Sequence, residues 1–401
     1  MLIGAGKAVI TPPLGTPLAG FAHRKNQGAT EVLDDLEVRA FWLQDECEEK
    51  NAIAIVTADI IGFGPSLTAD VQSKVKAQFG LPPERLLLAA SHTHSGPQTC
   101  ENMIECGDFI PKVVAIVRDG ILNALTEAHN NLRKTEVTVG RGKCEGYAIN
   151  RRLFRDGACL FMPNPDGVRD DEVTVIAFRN ATSNNINALL FHFTCHPTVM
   201  GDLRITADYP GAARRFIEKT LNCVAGFLPG CFGDIRPNCT FIGGARFRLG
   251  QPEDVTIFGE ALGQEVTRII RTELMPVTPL LNAQMLAINL PLSHLPDGSQ
   301  PEPSSCPLII QRLDIAKEVT LVAMSGEICC DYGLFIKQLH PDRFLIPVGY
   351  SNGMVGYICP SRYFDEGGYE PFGSVRYMGL PAPFSPEIEA IIKEGIMRLM
   401  G

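Results

Sequence analysis

The stretch SHTHSGP at residues 91–97 places His92 and His94 one residue apart, directly after the apolar run LLLAA. Imidazoles so placed ligate a metal, carry protons, or simply hydrogen-bond within a loop, and the first two tasks need partners from elsewhere in the chain. Other apolar runs end in residues suited to the same chemistry. His192 and His196 close NALLFHFTCH, and Glu327 closes VTLVAMSGE. Tyr357 follows RFLIPVGYS within NGMVGYI, and Asp234 and Arg236 stand in GCFGDIRPN, directly after VAGFLPG. Asp208 follows His196 closely and opens a helical stretch.

Two imidazoles, a carboxylate and one further oxygen donor make a reasonable zinc set, because catalytic zinc takes N and O donors and keeps one position for water. Each piece also has a plain structural reading. Glu327 suits the first turn of a helix over ICCDYGLFIKQL, where negative charge is favoured. Asp208 suits the N-cap of a helix over 209–221, and Tyr357 suits a packed aromatic. His192 shares a strand face with His196 and reads as its neighbour or as core. Arg151 and Arg152 of AINRR either bind substrate or form ion pairs.

The elements that must position these groups are legible as short runs rich in Val, Ile, Leu and Ala. The spacing predicts strands at 52–60, 85–92, 172–178, 187–196, 224–230, 319–327 and 343–351. Most lack strict alternation, which predicts burial on both faces. Between them, residues 108–128 place Ile110, Val113, Val114, Val117, Ile121 and Leu125 on one helical face. Further helices are expected over 209–221, 253–274 and 386–400. The alternation predicts an α/β fold, with ligands bound where strands end. Residues 294–307, HLPDGSQPEPSSCP, read as a surface loop within a single domain over 1–401.

Composition narrows the function. The chain has 401 residues, 36 Lys and Arg against 45 Asp and Glu, and a net charge of −9, which argues against nucleic acid as a partner. No run is long and apolar enough to span a membrane, and the start MLIGAGKAVITPP has no basic or apolar leader. The 13 cysteines are odd in number and show no CxxC pair, so reduced thiols are expected. Together these predict a cytoplasmic protein whose partner is a small-molecule substrate; nothing sets its oligomeric state.

The ordered set of motifs resembles the neutral/alkaline non-lysosomal ceramidase family. GAGKAVITPPLGTPLAGFA is similar to that family's first strand and loop, and SHTHSGP to its most distinctive motif. AINRR, MPNPDG, FHFTCHPTVMG, TADYPGAARR, FLPGCFGDIRPN, SGE and YSNGMVGYICPSRYF…YE follow in the family's order, over nearly the whole chain. The resemblance implies mixed β-sheets flanked by helices, one zinc ion per chain and hydrolysis of an amide. It implies His92, His196, Glu327 and Tyr357 as zinc ligands, with His94 beside the metal. His94 or Asp208 would move the proton, while Asp234 would act in catalysis or orient a histidine or Arg236.

Two departures stand out. The position that carries a catalytic serine in the family's GD-x-x-PN block is Arg236 here. The family's C-terminal immunoglobulin-like domain is expected to be missing. A guanidinium is always charged and suits carboxylates. The expected activity is therefore zinc-dependent hydrolysis of a C–N bond in a small polar or anionic substrate, with Arg236, Arg151 and Arg152 binding it. The alternatives are a true N-acylsphingosine amidohydrolase or a zinc- or ligand-binding protein without turnover. Two further readings are a TIM-barrel amidohydrolase, for which no bridging lysine is evident, and a thiol enzyme using Cys195 or Cys231.

Overall fold

The computed structural model describes residues 1–183, 185–242 and 246–401. Its larger sheet runs in the order Val224–Pro229, Ile186–Phe193, Glu172–Asn180, Arg133–Lys143, Leu2–Val9, Glu37–Gln44, Ala52–Ala58 and Leu86–Ala90. Met275–Pro276 adds a short strand beside Arg133–Lys143. Interior pairs are antiparallel, while the pair at each end is parallel: Ala52–Ala58 with Leu86–Ala90, and Ile186–Phe193 with Val224–Pro229. Parallel neighbours need a crossover. The helices Pro65–Phe79 and Asp208–Leu221 supply the two crossovers.

A second sheet is formed by Pro279–Pro291, Ser305–Ala316, Val319–Met324 and Phe344–Val348. Its last pair is parallel, with the helix Cys330–Leu339 between the two strands. The sheets pack face to face. Ile53, Ile55, Leu87, Ala89, Ile176 and Leu190 of the first meet Leu313, Leu321, Ala323, Ile346 and Val348 of the second.

Alternate residues of the same strands point the other way. Ala54, Val56, Leu86, Leu88 and Phe191 pack under helices that contribute Leu67, Val71, Val117, Ile121, Phe258 and Leu262. On the far side of the second sheet, Ile310, Val322 and Met324 meet Ile336 and the face Ile388, Ile392 and Ile396 of the helix Ile388–Met400. The order is helices, sheet, sheet, helices, and the central strands are buried on both faces, as their unbroken apolar runs require. Each fully buried Leu or Ile contributes about 1.5–3 kcal/mol of transfer free energy.

The helix Pro111–Asn130 starts with proline at its first position and buries the expected stripe. The helix Pro252–Thr272 begins with a reciprocal capping box between Gln251 and Asp254. The expected loop is irregular from Ser293 to Ser304, but Ser305, Cys306 and Pro307 already belong to a strand that pairs with Asn289, Leu290 and Pro291. The expected helix over 209–221 begins one residue earlier, at Asp208.

Candidate metal centre and its cavity

Each parallel crossover delivers one member of the site. Beyond Leu86–Ala90 the chain leaves the sheet through Ser91, whose N–H donates to Ala58 O at 2.8 Å. His92 N–H then donates to Ile60 O at 3.0 Å, with His92 itself at φ 66°, a left-handed conformation that only surrounding contacts can hold in a non-glycine residue. His196 follows Ile186–Phe193, and its N–H donates to Ile235 O at 3.3 Å. Glu327 follows Val319–Met324 and opens a two-residue parallel bridge in which Glu327 faces Tyr357 and Ile328 faces Ile358.

The side chains converge. His196 Nε2 lies 3.2 Å from Glu327 Oε2, and His92 Nε2 lies 3.5 Å from the same oxygen. His94 Nε2 is 3.2 Å from His92 Nε2, and one ligand atom from each of His92, His94 and His196 lies within 4.8 Å of the others. His92, His196 and Glu327 are buried, whereas His94 is half-buried at the cavity wall.

The histidines are oriented from behind. His92 Nδ1 faces Ile61 O at 2.5 Å, and His196 Nδ1 faces Phe232 O at 2.5 Å and Ile235 O at 3.0 Å. A carbonyl accepts only, so each Nδ1 meets it as an N–H, which turns both Nε2 atoms toward the Glu327 carboxylate. Burial holds His196 down to about 3, with charged Arg151 assisting. Burial works on Glu327 in the opposite sense, but the imidazoles of His92 and His196 outweigh it and hold the carboxyl well below its usual range. Burial and the two neighbouring imidazoles keep His94 neutral, well below an ordinary histidine.

Two imidazole nitrogens and a carboxylate oxygen that converge in a buried site fit a cation. Zinc bonds of about 2.0–2.1 Å at a tetrahedral angle place neighbouring donors roughly 3.3 Å apart. The 3.2 and 3.5 Å separations here match that spacing. Tyr357 stands across the bridge from Glu327, where burial and the Glu327 charge push its phenol upward and Arg151 pulls it down.

A cavity of about 280 Å³ opens on this cluster, lined by His94, Tyr357, Arg151, Arg236, Thr198 and the rings of Phe21, Phe161, Tyr369 and Tyr377 among others. The His94 ring leans on Phe21 at 4.7 Å, and its Nδ1 has no partner. Arg24 donates to the carbonyl oxygens of Ala19 and His94, fixing the loop from behind. Gly20, at φ 92°, leaves room for the His94 ring; a Cβ there would run into its Nδ1 and Cγ.

The other expected site residues divide. Arg151 and Arg236 line the cavity. Arg151 Nε also donates to Glu370 Oε1 at 2.8 Å. Arg152 is taken away from the cavity: Nη1 donates to Glu370 Oε2 at 2.6 Å, Nη2 to Glu366 Oε2 at 3.1 Å, and the guanidinium lies 3.6 Å over Tyr363. The ion-pair reading therefore describes Arg152, because two carboxylates and a ring occupy it.

Both aspartates spend their oxygens on backbone and neighbouring polar groups rather than on the imidazoles. Asp208 accepts from Met200 N–H at 3.0 Å and Tyr209 N–H at 2.7 Å, and burial pushes it up to about 7. Asp234 accepts from Cys330 N–H at 2.8 Å, Asn150 Nδ2 at 3.0 Å and the Tyr363 hydroxyl at 2.7 Å, with burial raising it to about 6. Asp234 thus ties the AINRR strand to the start of the helix Cys330–Leu339. Glu327 faces the imidazoles, and the first-turn carboxylate of that helix is Asp331. His192 lies in the core, its Nε2–H donating to Pro347 O at 2.8 Å.

Several members were not singled out in the sequence. Tyr350, at φ 54°, packs 4.3 Å from the His92 ring and 4.3 Å from Phe232. Glu370, Phe161 and Arg24 also belong to the surroundings of the cavity. Glu370 stands in the YE pair of the last motif, the one signal that pointed to it. All 13 cysteines are unpaired, with Cys329 and Cys359 Sγ atoms 3.9 Å apart. Burial pushes the Cys195 thiol well up and raises Cys231 as well, which removes the thiolate a nucleophile needs.

Among the described residues no helix is long and apolar enough to cross a membrane. A neutral ceramidase from Oryza sativa is 27% identical over 54% of this chain, and one from Mycobacterium tuberculosis is 22% identical over 64%. The matched segments span 28% and 38% of those proteins' own lengths. The crystal structure of neutral ceramidase from Pseudomonas aeruginosa superposes with a TM-score of 0.79 at 18% identity, covering 98% of this chain and 73% of that one. A ceramidase structure complexed with C2 gives a TM-score of 0.81 at 18% identity, with 98% and 74% covered. The fold is thus the mixed-sheet α/β arrangement of these structures. The family model for neutral/alkaline non-lysosomal ceramidase, N-terminal, matches residues 1–246, more than half of the chain, and the protein belongs to that family.

Proposed function

We propose that the chain is a zinc-dependent hydrolase of a C–N amide bond in a small polar or anionic substrate. The observation that carries this reading is the meeting of His92 Nε2, His196 Nε2 and Glu327 Oε2, with 3.2 and 3.5 Å separations, behind His94 and Tyr357, which line a cavity. His92, His196, Glu327 and Tyr357 would hold the ion. When bound, zinc supplies Lewis acidity toward a carbonyl and toward water near neutral pH.

The rest of the chemistry falls to the chain itself. His94 is neutral and faces the cavity, so it takes the proton given up by the attacking water and returns it to the departing nitrogen. Gly20, Phe21 and Arg24 fix its ring and its carbonyl. Phe161, Tyr369 and Tyr377 exclude water and give an apolar acyl group somewhere to lie. A single domain over 1–401 and a cytoplasmic setting belong to the same proposal, the latter supported by the unpaired thiols.

A second reading, N-acylsphingosine hydrolysis, is favoured by the aromatic cavity walls and by the ceramidase names of the similar proteins. Arg236 in place of the family's serine speaks against it. Turnover of a panel of N-acyl amines by metal-replete protein separates the two. Cleavage of short or anionic amides with ceramide untouched supports the first reading, and cleavage of ceramide alone overturns it.

A further inference from the structure

The cavity carries an unbalanced positive charge. Arg151 and Arg152 share Glu370, and the buried Arg214 is paired with Asp59. Arg236 is only 8% exposed, yet no carboxylate lies within 4.0 Å of it among the described residues. Its Nη2 makes one long bond, 3.4 Å to Thr198 O, and its buried Nε has no partner. Arg24 is another buried guanidinium without a close carboxylate, but its Nη1 is spent on the carbonyls of Ala19 and His94. A buried guanidinium with open donors is costly unless an anion arrives to meet it.

The surroundings hold Arg236 in place for such a partner. The guanidinium lies 4.7 Å from the Phe247 ring and 5.8 Å from Phe161, and it lines the same cavity wall as His94 and Arg151. Burial and the Arg151 charge lower it only to about 10, so it stays protonated at neutral pH. A planar fork of donors matches a planar carboxylate with two parallel hydrogen bonds. A cavity of about 280 Å³ keeps that carboxylate within a few bonds of the reacting amide.

We infer that Arg236 receives a carboxylate of the substrate, so that the amide cleaved beside His94 is that of an N-acyl amino acid. This rests on the amide-hydrolase reading above. In the reaction the carbonyl carbon gains the hydroxyl of water and the nitrogen gains its hydrogen. The C–N bond breaks to leave a carboxylic acid and a free amino acid, with no change of oxidation state.

A matched pair tests it: N-lauroylglycine and N-lauroylethanolamine share an acyl chain and differ in carboxylate against alcohol. The zinc-loaded chain over residues 1–401 should favour the glycine conjugate by about 100-fold in kcat/KM. Arg236→Gln should remove about 100-fold from that substrate, mainly through KM, and bring its preference over the ethanolamine conjugate down to about threefold or less. Arg236→Lys should recover only part, because an ammonium cannot make the fork. Equal wild-type rates on the pair, or an unchanged preference in Arg236→Gln, overturn the inference while the hydrolase reading stands. If neither amide is cleaved, calorimetric binding of N-lauroylglycine decides. Binding by wild type that is lost in Arg236→Gln supports the carboxylate site and removes the hydrolase reading; no binding by wild type overturns the carboxylate site.

Discussion

His196 Nε2 lies 3.2 Å from Glu327 Oε2 across 131 residues of sequence, and neither residue reaches the other by chance. His196 leaves a strand of the first sheet and Glu327 a strand of the second. The site therefore stands where two stacked sheets release their chains on the same side. The carbonyls of Phe232 and Ile235 aim the imidazole, and the Glu327–Tyr357 bridge aims the carboxylate. The packed layers fix the separation, which is the preorganisation that metal binding needs.

Glu370 holds two buried cations, with 2.8 Å to Arg151 Nε and 2.6 Å to Arg152 Nη1. Glu370→Gln leaves the buried Arg151 without a close carboxylate and Arg152 with Glu366 alone. It should destabilise the fold by about 3–5 kcal/mol, read as a lower urea midpoint with little change in slope. A midpoint within error of wild type would show that solvent reaches this pair.

Gly20→Ala tests how His94 is seated. The new Cβ meets the imidazole, and φ 92° is a backbone setting that alanine resists. Turnover should fall by about 100-fold through misplacement of His94, while metal content stays at the wild-type level. A loss of metal together with activity would place His94 among the ligands instead.

His192 gives a pH signature of stability. Burial first, then the nearby Lys337 charge, lower it from 6.5 to about 3 in the folded chain. Between those values the unfolded chain binds the proton and the folded chain does not. Stability is therefore full above about pH 6.5 and falls as the pH drops toward 3, at up to about 1.4 kcal/mol per pH unit. His192→Gln keeps a donor for Pro347 O and should flatten the acid limb relative to wild type in denaturant titrations at several pH values. Parallel limbs would contradict the assignment.

The strands and ligands legible in the sequence share a physical cause. Ala52–Ala58, Leu86–Ala90, Ile186–Phe193 and Val319–Met324 are buried on both faces, so their apolar runs are unbroken, and the last three lead within three residues to His92, His196 and Glu327. Glu37–Gln44 is as buried as these but was missed because Arg39 interrupts its run, and other missed strands are of another kind. Pro279–Pro291 is half exposed and Ala148–Arg155 carries three arginines, so neither reads as a run. The helix Pro65–Phe79 escaped because Leu67, Val71 and Val75 make only a thin stripe. Asp208 and Asp234 could not be sorted from catalytic acids by sequence, since their partners are backbone N–H groups and a tyrosine brought in by folding. Arg152 was indistinguishable from Arg151 for the same reason: both reach Glu370, and only the fold puts Arg151 at the cavity and Glu366 and the Tyr363 ring against Arg152.

The central claim is that His92, His196 and Glu327 hold one zinc ion that the hydrolysis needs. Elemental analysis of the purified chain and of Glu327→Gln, beside amide turnover by both, tests it directly. The account predicts about one zinc per wild-type chain, and loss of both metal and turnover in the variant. Metal-free wild-type protein that is fully active, or equal zinc in the variant, would contradict it.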